Sequence, residues 1–294
     1  MDNIIHQENP LPLPSLARRI VAFPLTLMVI GFVWIAVLGV GTAQLYEQLG
    51  FARNTPEKTL GAVLMAAAVI LGYKAYKRWV ERADDIELPF SGALPELGAG
   101  IAIGTGLFSL MTAIVAMLGG FEVLGVRGAG QIWTMVAIAT VSGTLEEILF
   151  RGIILRHMEN LIGTWGALIF TSALFGLLHI TNPDATWFSS FAIALEAGIL
   201  LGAAYLLTRR LWLAIGIHAA WNFTQGWIFS VPVSGGEAPL GLLITRRVGP
   251  DWLTGGDFGL EASAVAMVVA TGAGVLLLIL AYRRGHFVAP MWKR

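Results

Sequence analysis

The sequence predicts an all-α fold, a polytopic bundle of about eight transmembrane helices. Three observations carry this. Hydrophobic residues make up 56% of the 294-residue chain and charged residues only 13%, against roughly 25% charged in soluble domains. The mean hydropathy is +0.73. Apolar segments of about 20 residues, the length that crosses the hydrocarbon core, recur along the chain with polar breaks between them.

The first ten residues are polar, and the chain then reads LPLPSLARRIVAFPLTLMVIGFVWIAVLGVG. That run is long for a signal peptide and has no small-residue cleavage site after a short core, so it reads as a retained first span, 20–42. The other spans fall near 59–76, 95–118, 130–153, 163–180, 188–207, 211–230 and 261–282. Glu146 and Glu147 interrupt the fourth. The fifth is short and stops at Asn182-Pro183, a good helix terminator. The stretch 231–259 is rich in Gly and Pro and carries Arg246, Arg247 and Asp251. It is expected as an extramembrane loop with one short surface element at most. The charged segment 74–86 is the best internal boundary. It divides an N-terminal two-helix membrane segment with its cytoplasmic linker, residues 1–90, from a helical membrane core, residues 91–294.

An even number of spans puts both termini on one side. That side holds Arg18, Arg19, Arg283, Arg284, Lys293 and Arg294, the cluster Lys74, Lys77, Arg78 and Arg82, and Arg156, Arg209 and Arg210. The other side holds only Arg53, Lys58, Arg127, Arg246 and Arg247. The bias predicts cytoplasmic termini in an inner membrane or endomembrane. Trp79, Trp187, Trp212, Trp252 and Trp292 fall near span ends, as an aromatic belt requires. The net charge is zero, which gives no reason to expect a nucleic-acid partner. The absence of Cys excludes a disulfide framework, an iron–sulfur cluster, a thiolate zinc site and a cysteine nucleophile.

Ionisable groups inside such spans are costly, and those that persist pair with one another or do chemistry. Glu147 and Arg151 are four apart in the order that favours an i,i+4 ion pair, so their role is read as structural. Glu146 points elsewhere, and its own i+4 neighbour is Phe150. It is the free carboxylate, able to act as a base toward water. If spans four and five form a hairpin about residues 158–163, Glu146 and His179 are equally far from its turn and face one another. His179 then helps hold the water and relay its proton. His218 and Asn222 share a helix face, where they can donate to a developing oxyanion or serve as interhelical glue. The hairpins differ in depth if both turns sit level, so a tilt, a kink or a deeper turn is required. Gly198 and Gly202 have GxxxG spacing, which lets helices approach closely. Glu196 has no visible partner and is given a structural or pore-lining role.

Together these residues resemble the CAAX-protease and bacteriocin-processing family, the prenyl-protein endopeptidase-like membrane proteins. EExxxR appears as Glu146-Glu147-Ile148-Leu149-Phe150-Arg151, FxxxH as Phe175 to His179, and HxxxN as His218 to Asn222. The resemblance covers about 130–222. It implies an intramembrane glutamate-type endopeptidase. Glu146 and His179 activate water, His218 and Asn222 line the oxyanion site, and Glu147 and Arg151 support them. It further implies CAAX-type processing of a peptide or membrane-protein substrate, lipidated or not. Glu146, His179 and His218 could bind zinc if brought together, but HExxH is absent, and no metal or cofactor is expected. The alternative from another class is a non-catalytic membrane scaffold or bacteriocin-immunity protein.

Overall fold

The computed structural model describes residues 16–294; the ten polar N-terminal residues lie outside the described residues. A short α1 (Leu16–Val21) leads into α2 (Pro24–Gln48) and α3 (Pro56–Tyr76), followed by α4 (Ala93–Met117), α5 (Ile132–Glu147), α6 (Arg156–Leu178), α7 (Trp187–Ile193), α8 (Ile199–Thr208) and α9 (Trp212–Phe223). A short α10 (Asp251–Thr254) and the long α11 (Ala264–Arg283) complete the helices. π-helical segments Ile148–Leu155, Ala194–Gly198 and Thr224–Ile228 join or extend them. Such widened turns recur at functional sites.

Among the described residues, six helical stretches are long and apolar enough to cross a membrane. One, Ile132–Thr181, runs for 50 residues and is broken at Gly163, whose φ of 75° and ψ of 170° are not helical. It supplies two crossings. Another stretch, α9 with its π-helical continuation, falls just below that length. Counted with both halves of the broken stretch and with α9, the helices fall near the eight expected positions. The predicted connection at 158–163 is narrower than expected, because glycine tolerates positive φ and turns the chain at one residue. The C-terminal tail closes over this turn. Thr164 N donates to Val288 O at 3.0 Å and Val288 N to Thr164 Oγ1 at 2.8 Å.

The long loop differs from expectation. β2 (Leu243–Arg247) pairs antiparallel with β1 (Phe121–Val126), with Glu122 opposite Arg246 and Val123 opposite Thr245. A six-residue strand whose partner lies over a hundred residues away leaves little local signal.

α9 lies at the centre of the bundle, with Trp212 to His218 all buried. It packs between α4 and α5, with α8 beside it. α3 packs along α5, and the Tyr73 hydroxyl donates to Gly152 O at 3.3 Å. The turn before α9 is sunk into the protein. Leu211 is buried, its N–H donates to Glu87 O at 2.8 Å, and Trp212 Nε1 donates to Pro89 O at 2.9 Å. Arg209 pairs with Glu159, four residues before the Gly163 break.

Candidate active site

α5 ends on Glu146 and Glu147, and α9 carries His218 and Asn222 one turn apart. These helices touch because residue 143 has no side chain. A Cβ on Gly143 would meet Ala219 Cβ and N at 3.0 Å. Three contacts cross the junction. Asn222 Nδ2 donates to Ser142 Oγ at 3.0 Å, His218 Nδ1 donates to Glu147 Oε1 at 2.8 Å, and His218 Nε2 lies 3.9 Å from Glu146 Oε2. Successive helical residues are about 100° apart, so the two carboxylates straddle a single imidazole.

Glu147 differs from expectation. Its Oε1 does accept from Arg151 Nη1, at 2.9 Å, but the pair does not stand apart from the site. The same oxygen holds His218, and the Glu147 side chain is fully buried. Arg151 Nη2 donates to Ala197 O at 2.9 Å, tying this helix to the segment before α8. Gly198 lies against Ser172 of α6 and Gly202 against Leu168, the close approach expected of their spacing.

His179 stands at the C-terminal end of α6. Its Nδ1 lies 2.7 Å from Phe175 O. A carbonyl only accepts, so Nδ1 carries the proton and Nε2 of the neutral ring is left as an acceptor. The Phe175 ring joins the motifs. Its centroid is 4.7 Å from His179, 6.4 Å from His218 and 4.8 Å from Phe150, and the Arg151 guanidinium carbon lies 4.9 Å from it. Glu146 and His179 are thus linked through His218 and Phe175.

A small cavity of about 30 Å³ opens against these residues. His179, His218 and Asn222 line it together with Phe175, Ile217 and Trp221. Glu146 is not on its wall; its side chain is 32% exposed and is reached past His218. Glu196, expected to be structural or pore-lining, lines the cavity, as do Ser234 and Glu261. Glu261, expected at the start of the last span, lies instead in the turn Leu260–Ala262 just before it, and burial pushes its carboxyl up to about 7. Among the described residues no three His, Asp or Glu side chains are grouped to hold a metal ion.

Sequence reasoning missed Ser142, Glu261 and the Glu147–His218 contact. Ser142 was the accessible one: it precedes Glu146 by four residues and so shares its helix face.

Residues 128–224 match the family model described as type II CAAX prenyl endopeptidase Rce1-like. The match covers about a third of the chain. No curated protein and no solved structure matches it significantly. The Rce1-like match spans all three motifs and ends two residues beyond Asn222. With the apolar helices, this similarity supports an integral multi-pass membrane protein.

Proposed function

We propose that the chain is an intramembrane glutamic endopeptidase that processes C-terminal CAAX-type tails. The observation that carries this is the single imidazole of His218 between both glutamates of the EExxxR motif. Motifs some 70 residues apart in the chain thereby meet at one buried point.

In this reading Glu146 takes a proton from water, and the hydroxide adds to the scissile carbonyl carbon. His179 Nε2 accepts a hydrogen bond from the attacking water. The oxyanion forms near the free N–H of Asn222, whose other N–H is held by Ser142, and near His218 Nε2 when that nitrogen is protonated. Such preorganised donors stabilise charge that develops only in the transition state. Collapse breaks the C–N bond, and the proton on Glu146 passes to the leaving amine. Glu147 and Arg151 act by positioning. Glu147 fixes the His218 ring through Nδ1, and Arg151 neutralises Glu147. The substrate tail is lipidated and enters from the cytoplasmic leaflet of a cell inner membrane, with both termini of the enzyme in the cytoplasm.

The test compares membrane-peptide fragments from cells carrying the wild type or Glu146→Gln. Expected are C-terminal tripeptides from lipidated tails, lost in the variant. Variant-dependent cleavage of other peptides would keep the enzyme class and replace the substrate. Full hydrolysis by purified Glu146→Gln would overturn the glutamate base. Absence of any variant-dependent fragment would favour a non-catalytic scaffold or immunity role.

A further inference from the structure

The α2–α3 hairpin carries a groove of about 990 Å³ that shares no lining residue with the cavity beside His218. α2 contributes Val29, Val33 and Val37 to it, and α3 with the π-helical turn Lys77–Glu81 contributes Ala68, Ala75 and Trp79. Beyond the groove, the Tyr46 ring packs on Gly61 and its hydroxyl donates to Lys58 O at 2.7 Å, which closes the far end of the hairpin. Ala68 and Trp79 are eleven residues apart, roughly 16 Å along a helix. That is about half the thickness of a hydrocarbon core, so the groove runs through one leaflet.

The lining is apolar, and the Trp34 indole N–H donates to Gly72 O at 3.0 Å. A peptide laid there would leave its backbone N–H and C=O groups without partners, which is costly in hydrocarbon; an acyl chain has none to satisfy. The shallow end is cationic. The Tyr76 hydroxyl donates to Leu27 O at 2.8 Å, so the start of α2 and the end of α3 lie together. Trp79 stands there, 66% exposed, as a tryptophan at the membrane interface does. Arg78 adjoins it, Arg82 ends the π-helical turn three residues on, and Arg19 of α1 precedes α2; all three are exposed. Neighbouring cations have carboxylates: Lys74 pairs with Asp85, Lys77 with Glu81 and Glu87, and Arg156 with Glu81. Among the described residues Arg19, Arg78 and Arg82 pair with none. Basic clusters at the head-group level attract anionic lipids, and a guanidinium matches the phosphate with paired donors.

We propose that the α2–α3 groove is a binding site for an anionic phospholipid of the leaflet at its basic end. One acyl chain lies along Val29, Val33 and Ala75. Arg78 and Arg82 hold the phosphate, and Arg19 completes the rim. The apolar wall alone would take any lipid and the arginines alone any anion; together they select one lipid class. The site does not rest on the endopeptidase reading.

The test uses the full chain in detergent, read by native mass spectrometry with dioleoylphosphatidylglycerol or dioleoylphosphatidylcholine, which share acyl chains and differ in head-group charge. One phosphatidylglycerol should be retained per chain in preference to phosphatidylcholine. Replacing Arg78 and Arg82 together by glutamine should weaken it about 25-fold, a factor of about five for each arginine. Ala75→Phe, which fills the groove and leaves the arginines in place, should also release it. Arg283→Gln, at an exposed arginine ending α11, should change nothing. Gel filtration checks that each variant is folded. Equal retention of the two lipids overturns the site, as does an equal loss with Arg283→Gln, since general surface charge would then account for the binding. Unchanged binding in Ala75→Phe overturns the groove as its seat. Displacement of the lipid by a farnesylated peptide, or a dimer mass in its place, would overturn it in favour of a substrate tail or a second copy of the chain.

Discussion

His218 touches both carboxylates of one dipeptide, and that double contact could not be read from spacing. Helical periodicity showed that Glu147 reaches Arg151, because both lie on one helix. It carried no information about how α9 is rotated against α5, which is what brings His218 Nδ1 within 2.8 Å of Glu147. Arg151→Ala should therefore leave Glu147 buried beside His218 without its cation. A loss of roughly 3–5 kcal/mol is expected from such a broken buried pair, read as a lowered unfolding midpoint in detergent. Glu147→Gln combined with Arg151→Met should recover part of it. Glu261 gives a pH-dependent expectation. Its carboxyl lies at about 7 rather than 4.5 because it is buried. A folded value above the unfolded one contributes stability that is full below about 4.5 and is lost as pH rises through about 7. Thermal unfolding of the wild type should thus decline over that window, and Glu261→Gln should flatten that part of the profile.

Among the elements, the crossings were legible because a span needs a long apolar run and little else. What escaped were features set by contact between distant elements: the β1–β2 pair, the sunken turn before α9, and the approach of α5 to α9. That approach is open to test. Gly143→Val would force branched carbons into a gap where even a Cβ stands 3.0 Å from Ala219. The helices should separate by a fraction of an ångström, loosening the Ser142–Asn222 and Glu147–His218 bonds together. Turnover should fall much further than stability, since misplacement on the 1 Å scale can cost about a hundredfold in rate. An equal loss in kcat and in folded fraction would mean that the contact serves packing alone.

On the scale of the whole molecule, the charge bias and an even number of crossings predict both termini on the cytoplasmic side. Reporter fusions at the C-terminus and within 231–259 should report opposite faces of the membrane. The strand pair adds a constraint of parity. β1 and β2 can share hydrogen bonds only on one side of the bilayer, so the chain between them must cross an even number of times. The four crossings between residues 126 and 243 satisfy this only if the short helix Trp212–Ile228 is itself a crossing. The pairing is also a clock. β1 emerges early and waits until four later helices have inserted before its partner arrives. Because the chain has no cysteine, Val123→Cys with Thr245→Cys would introduce the sole pair of thiols at facing positions. Their cross-link should appear only in chains whose insertion is complete, and its formation in chains truncated before residue 212 and carrying β2 appended directly would show that the register needs no intact bundle.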